Sequence, residues 1–267
     1  MIKDITLGQY FPGNSPVHRL DSRVKIILTI VFIVMLFIAK NIWGLLVGVA
    51  FSLVTFAISK IPFKMIIKSL KPIVPVIIFT AILNLFFIRT GNPLVDFKFI
   101  KITDDGISTA VFMIIRIICL IVGTSLLTYT TSPIDLTDAI ERLLSPLKKI
   151  KVPVHELAMM MTIALRFIPT LIEETDKIMS AQKARGADME TGSLIQRARA
   201  LIPILIPLFV SSIRRAEELA LAMECRCYHG GEGRTRMKQL KTTTTDYLAV
   251  GYTMVFLAGI ILVNIYF

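Results

Sequence analysis

Five long apolar runs restrict this chain to very few architectures. Val24 to Ala39 is almost uninterrupted, and Ile42 to Ile58 follows after the short break Lys40-Asn41. Further runs extend from about Pro72 to Ile88, from Ile107 to Tyr129 and from Tyr247 to Phe267. Each approaches the roughly 17–25 residues that carry a helix across a hydrocarbon core. A backbone in lipid has no water to bond, so its N–H and C=O groups must be satisfied within helices or closed barrels. Continuous apolar runs of this length specify helices, and the tight break pairs the first two as a hairpin. The mean hydropathy of +0.71 agrees, because 54% of the residues are hydrophobic and they are clustered rather than spread.

Lysine and arginine placement predicts the orientation. Lys3, Arg19, Arg23 and Lys25 gather around the start of the first run, and the loop after the second reads SKIPFKMIIKSLKP, with four lysines and no acid. The stretch after the fourth run carries the largest basic load. On the opposite side stand Lys40-Asn41 and RTGNPLVDFKFIKITDDG, where three basic residues face three acidic ones. Basic loops stay inside, so the N-terminus and residues 131–245 are expected in the cytoplasm. Five spans then leave the C-terminus outside. This arrangement accounts for the net charge of +11 without nucleic acid, since no basic patch is interleaved with aromatics in a soluble domain. The three cysteines form no disulfide framework: Cys119 lies in a span, and Cys225 and Cys227 are too close for an ordinary structural bridge.

Residues 131–245 are helical by pattern but far more charged. Ser132-Pro133 opens one helix and Pro153-Val154-His155-Glu156 another. EETDKIMSAQKARG sets Glu173 four residues before Lys177, on one helix face. After Gly186 and Gly192, the next helix keeps Phe209, Ile213, Ala216, Ala220 and Met223 at helical spacing, with Arg214, Arg215, Glu217 and Glu218 expected to turn away. Two apolar pieces here carry interruptions: Leu157 to Ile172 contains Arg166 and Pro169, and Ala200 to Ile213 contains Pro203 and Pro207. They read as buried or interfacial segments rather than spans.

Two short triplets stand out in this region. Ala184-Arg185-Gly186 and Cys225-Arg226-Cys227 each set an arginine between small residues at a helix end, 41 positions apart. A guanidinium flanked in this way can enter a narrow pocket and hold carboxylates or carbonyls bidentately. LRFIPTLIEETDKIMSAQKARGAD, followed by RRAEELALAMECRCY and preceded by GQYFPGNSPVHRLDSRVKI, resembles the transmembrane T component of energy-coupling factor (ECF) transporters over most of the chain. That resemblance implies an all-α membrane protein with about five transmembrane helices and a cytoplasmic coupling domain of long crossing amphipathic helices. Residues 1–130 would hold the N-terminal segment and spans one to four, 131–245 the coupling domain, and 246–267 the last span.

The same resemblance implies a scaffold in the bacterial plasma membrane. It would join a heterodimer of ABC ATPase subunits to a membrane-embedded, substrate-binding S component for uptake of vitamins or related micronutrients. Ala184, Arg185 and Gly186 would dock one ATPase, and Cys225, Arg226 and Cys227 the other. The second triplet departs from the family's usual Ala-Arg-Gly, and losing glycine limits how sharply the backbone turns there. ATP and Mg would be bound by the partner ATPases, with no cofactor held by this chain.

Other residues read more plainly. No Gly-x-x-x-x-Gly-Lys-Ser/Thr occurs, and Gly230, Gly231 and Gly233 do not join a strand to a helix. Cys225, Cys227 and His229 lack a fourth zinc ligand at established spacing, so replacement of small residues by small residues is the preferred account. His18, His155 and His229 are scattered without a triad setting, which argues against an enzyme. Arg116 inside the fourth run would be costly facing lipid and is expected to find a structural partner. Asn84 is expected to bond between helices, and Gly44-x-x-x-Gly48 permits close helix contact. Two rival readings are the permease subunit of a dedicated cobalt or nickel importer and a self-sufficient secondary transporter. The second calls for internal repeats that runs one-two and three-four do not display.

Overall fold

The computed structural model describes residues 9–88, 90, 93–97, 100–187, 193–230 and 240–266. Lys3, Gly8, Gly192, Gly231 and Gly233, invoked above, lie outside the described residues. In chain order come α1 (Pro16–Arg19), α2 (Ser22–Ile38), α3 (Ile42–Ser59) and α4 (Phe63–Leu70). A 3-10 turn, Lys71–Ile73, leads into α5 (Val74–Phe87), and a short antiparallel hairpin of β1 (Pro93–Phe97) and β2 (Ile100–Thr103) follows. Then come α6 (Asp104–Thr130), α7 (Pro133–Leu143), a second 3-10 segment (Ser145–Ile150), α8 (Val154–Ala184), α9 (Leu194–Glu224) and α10 (Thr244–Tyr266). The architecture is that of an all-α membrane protein, with one small hairpin set between two of its helices.

Every expected span is a helix: α2, α3, α5, α6 and α10. Among the described residues, six helical stretches are long and apolar enough to cross a membrane: α3, Phe63–Phe87, α6, α8, α9 and α10. The 17-residue α2 falls just short of that length. α8 and α9 qualify with a hydropathy of 1.3, against 2.0–2.5 for the other four.

The described residues divide into two compact units, one drawn from residues 9–139 with 240–266 and the other from residues 140–230. In the first, α2, α3, α6 and α10 pack around Phe32, Met35, Leu36, Leu45, Phe51, Cys119 and Ile260. Phe51 stacks between Phe32 and Tyr252, with ring centroids 5.2 and 5.0 Å away. Lipid tails are as apolar as these side chains, so close packing rather than escape from water holds the helices together. The glycine pair on α3 supplies that closeness: both residues are buried, and a Cβ on Gly48 would stand 2.6 Å from Cδ2 of Leu36.

Polar contacts fasten the two ends of this bundle. At one end the Asp21 backbone N–H donates to Oδ1 of Asp246 at 2.8 Å, and Lys25 Nζ donates to the Thr130 carbonyl at 2.8 Å and the His18 carbonyl at 3.2 Å. The start of α2, the end of α6 and the start of α10 therefore meet. The chain leaves the bundle after Thr130 and re-enters at Thr244 on the same side. At the other end Asn264 Nδ2 donates to the Ile38 carbonyl at 2.8 Å.

Arg116 has a structural partner: its guanidinium donates to the Ala39 carbonyl at 2.6 Å and lies 4.5 Å from the Phe112 ring centroid. It occupies a carbonyl that the end of α2 leaves without a helical partner. Asn84 corrects its expectation. Its Nδ2 donates to the Thr80 carbonyl at 2.9 Å within α5 instead of bonding across helices. The carbonyl one turn back is the nearest acceptor for a short polar side chain in an apolar helix.

Candidate functional site

The unit drawn from residues 140–230 is built on two helices of equal length, α8 and α9, each of 31 residues. Pro169, Pro203 and Pro207 lie inside them and do not break them, contrary to the interruption expected from sequence. A proline removes one backbone bond and bends a helix, and a helix of many turns survives that loss. α9 starts sharply because Ser193 and Gln196 form a reciprocal capping box. α8 starts against α7, where His155 Nδ1 lies 3.0 Å from Oε1 of Glu141.

α8 and α9 run antiparallel. Gln182 Nε2 donates to the Pro203 carbonyl at 3.3 Å, and eight residues further along each helix the Glu174 carboxylate accepts from Ser211 Oγ and from the Arg215 guanidinium. Arg215 thus belongs to the seam, not to the outward face where its position in the sequence pattern put it. Among the described residues of α9, those withdrawn from solvent include Ile204, Leu208, Ser211, Arg215 and Leu219, with Ala200, Ser212 and Met223 also half-buried. Of the apolar stripe set apart from the charges, Phe209 is 66% exposed and Ile213 45%, Ala216 and Ala220 are exposed and Met223 is half-buried; Leu201, Ile202, Leu205, Ile206 and Val210, off that stripe, are similarly bare. The helix keeps its more polar stripe for its neighbour and presents hydrocarbon outward, the reverse of a water-soluble helix pair.

Both helices end in the same turn. At the end of α8 the Gly186 N–H donates to the Lys183 carbonyl at 3.0 Å and the Ala187 N–H to the Gln182 carbonyl at 3.0 Å, with Gly186 at φ +84°. At the end of α9 the Cys227 N–H donates to the Glu224 carbonyl at 2.9 Å and the Tyr228 N–H to the Met223 carbonyl at 3.1 Å, with Cys227 at φ +54°. Each set is the paired bond pattern of a Schellman closure, in which the residue after the cap is left-handed. Arg185 and Arg226 each stand immediately before the left-handed residue of the closure; Arg185 is the cap of α8, whereas Cys225 caps α9 and Arg226 follows one place later. Cys227 takes the conformation that glycine supplies in the first turn, so the departure in the second triplet leaves the geometry intact.

All six triplet residues, Ala184, Arg185, Gly186, Cys225, Arg226 and Cys227, are exposed. Projected along the antiparallel pair, the two arginines stand up to about 40 Å apart at 1.5 Å per residue. The exposed thiols of Cys225 and Cys227 are free. Among the described residues, no three His, Cys, Asp or Glu side chains are grouped to hold a metal ion. The equivalence of the two turns was absent from the reading of the sequence, and glycine one place after Arg185 was its only clue.

The sequence model of the family described as cobalt transport protein matches residues 13–237. The energy-coupling factor transporter transmembrane protein EcfT of Ruminiclostridium cellulolyticum is 55% identical over 267 residues, the full length of both chains. The protein of the same name from Clostridium kluyveri is 58% identical over 250 residues, 93% of each chain. That of Bacillus subtilis is 46% identical over 246 residues, covering 92% of this chain and 93% of its own.

Proposed function

Because this chain belongs to the cobalt transport protein family and is the transmembrane component of an energy-coupling factor transporter, we propose that α8 and α9 are its coupling helices. Arg185 and Arg226 each dock one of two ABC ATPase subunits. The observation that carries this reading is the matched pair of exposed arginines, each just before the left-handed residue of the same closing turn at the ends of two equal, antiparallel helices. A planar guanidinium placed there can enter a groove and bond bidentately without a neighbouring bulky side chain in the way.

The open apolar stripe of α9 around Leu205, Phe209 and Val210 is the seat for a membrane-embedded, substrate-binding S component. Closure of the ATPases on ATP shifts the docked tips, and the α8–α9 pair carries that displacement to the stripe. For this to drive transport, each nucleotide state must favour a different arrangement of the pair. The chain itself is non-catalytic in this reading, with ATP and Mg bound by its partners.

The chain is multi-pass, and we place its N-terminus and α8–α9 in the cytoplasm of a bacterial cell. Lys60, Lys64, Lys68 and Lys71 support that side. The departure and return of the chain at one end of the bundle require an even number of crossings in between. Both arginine tips share a side only if that number is zero. The cargo is a vitamin or related micronutrient chosen by the S component. The family's description keeps cobalt as a second reading, in which a dedicated metal-capturing subunit takes that place.

The test is capture of both ATPases by the tagged full chain, compared with the Arg185→Glu, Arg226→Glu double variant. Wild type retains both, and the variant loses them while its helicity and thermal unfolding stay unchanged. Equal capture by the two forms would sink the assignment of the tips. Transport by the purified chain alone, driven by an ion gradient, would replace the whole reading with a secondary transporter.

A further inference from the structure

The membrane unit encloses a cavity of about 330 Å³ among α1, α2, α3, α6 and α10, within the size range of cavities that take small ligands. Its lining includes seven hydroxyl side chains and one lysine, yet six of the hydroxyls are spent on the backbone and the seventh, Thr245, lies 2.7 Å from Thr243 Oγ1 at the exposed end. Thr29, Ser52, Thr55, Thr130, Tyr252 and Thr253 each donate to a backbone carbonyl, those of Lys25, Gly48, Phe51, Leu126, Phe51 and Ala249 respectively. Lys25 is likewise committed, its Nζ donating to the carbonyls of His18 and Thr130 and to Thr131 Oγ1. What faces the cavity is methyl groups, aromatic rings and a lysine stem. A polar solute entering it would lose water and gain few bonds, whereas a hydrocarbon chain loses nothing.

The mouth has the opposite character. Thr245 and Leu248 on α10 and Ile58 on α3 line the cavity and are exposed. The exposed charged side chains next to them in sequence are all cationic: Arg19 beside Leu20, Lys60 two residues beyond Ile58, and Lys241 ahead of α10. Three carboxylates lie at this end: Asp21 and Asp246 are buried at 6% and 2% exposure and bonded within the fold, and the half-buried Asp135 accepts from Ser132 Oγ and lies near Lys25. An apolar chamber below a cationic rim matches one class of molecule in a bilayer. We propose that this cavity holds one acyl chain of an anionic glycerophospholipid, with its phosphate met at the rim by Arg19 and Lys60. The site is independent of the coupling helices and of the transported cargo.

The experiment is native mass spectrometry of the full chain in mild detergent, offered equal amounts of phosphatidylglycerol and phosphatidylcholine with the same acyl chains. Wild type is expected to retain one phosphatidylglycerol in preference to phosphatidylcholine. Ala249→Phe fills the chamber, and Thr245→Trp obstructs the exposed mouth without touching the core. Each should lower the bound fraction by about tenfold or more, and the second variant speaks even if the first fails to fold. Arg19→Gln with Lys60→Gln should keep one lipid bound but lose the preference for phosphatidylglycerol. The proposal is overturned if wild type retains no lipid, if it retains both lipids equally, or if Thr245→Trp retains phosphatidylglycerol as wild type does.

Discussion

Replacing Gly186 with alanine and Cys227 with glycine should shift the two helix ends in opposite directions by similar amounts. Gly186 sits at φ +84°, and a Cβ built there meets nothing within 4 Å. The penalty of Gly186→Ala is therefore conformational, with no steric part. Left-handed backbone costs an L-residue about 1–2 kcal/mol, while alanine recovers roughly 0.4–1 kcal/mol by restricting the unfolded chain. The net cost is about 1 kcal/mol, or roughly a fivefold change in the opening equilibrium of the turn. Cys227 already bears that cost at φ +54°, so Cys227→Gly should relieve about the same amount. Amide hydrogen exchange reports both. The amides of residues 186 and 187, bonded to Lys183 and Gln182, should exchange about fivefold faster in Gly186→Ala. The amides of residue 227 and Tyr228, bonded to Glu224 and Met223, should exchange about fivefold slower in Cys227→Gly. Unchanged exchange in either variant, or a shift of the same sign in both, would refute the claim that the two turns are one structure made with different residues.

Asp246→Ala should lower the thermal midpoint of the purified chain, because it strands the buried N–H of Asp21 and the N–H of Thr243. The buried N–H of Asp21 accounts for about 1–3 kcal/mol of this cost, the N–H of the exposed Thr243 for less because water can replace its partner, and Asp246→Asn should recover part of it. Arg116→Leu removes the charged hydrogen bond to Ala39, worth about 1.5–3 kcal/mol. It should destabilise the chain in a detergent melt yet leave ATPase capture intact, whereas loss of capture in a folded variant would give Arg116 a role beyond the fold. Glu174→Ala frees Ser211 and Arg215 from the α8–α9 seam. Since the Arg215 side chain is 36% exposed, the effect should stay near or below about 1 kcal/mol, visible as faster exchange in the middle of both helices but not as global unfolding.

Hydropathy made the membrane helices legible because the bilayer imposes a length and forbids unsatisfied backbone, two constraints that act on local sequence alone. The runs at 24–39, 42–58, 107–129 and 247–267 became α2, α3, α6 and α10 with ends shifted by only a few residues. The bond between Asp21 and Asp246 joins residues 225 positions apart, and nothing local announces it. The prolines of α8 and α9 misled for a different reason. Local rules weigh the one lost hydrogen bond, while the helix weighs all its others. Arg215 misleads because a charge in a helical pattern implies solvent, and the carboxylate that meets it on α8 is invisible to a pattern drawn on α9. At the candidate site, both arginines and their small neighbours were found through motif resemblance. The physical identity of their turns came only from backbone angles, since a left-handed cysteine is not the residue that a helix end leads one to expect.

The bare hydrocarbon stripe of α9 also has a consequence for how such a chain lives in a cell. A subunit synthesised without company displays Leu205, Ile206, Phe209 and Val210 as the kind of surface that quality-control proteases and chaperones recognise in unassembled proteins. If partner subunits cover that stripe as proposed above, its lifetime would be governed by how quickly they do so, and surplus copies would be cleared. Balanced abundance among the subunits would emerge after translation, from the degradation of orphans, even where their messages are made in unequal amounts.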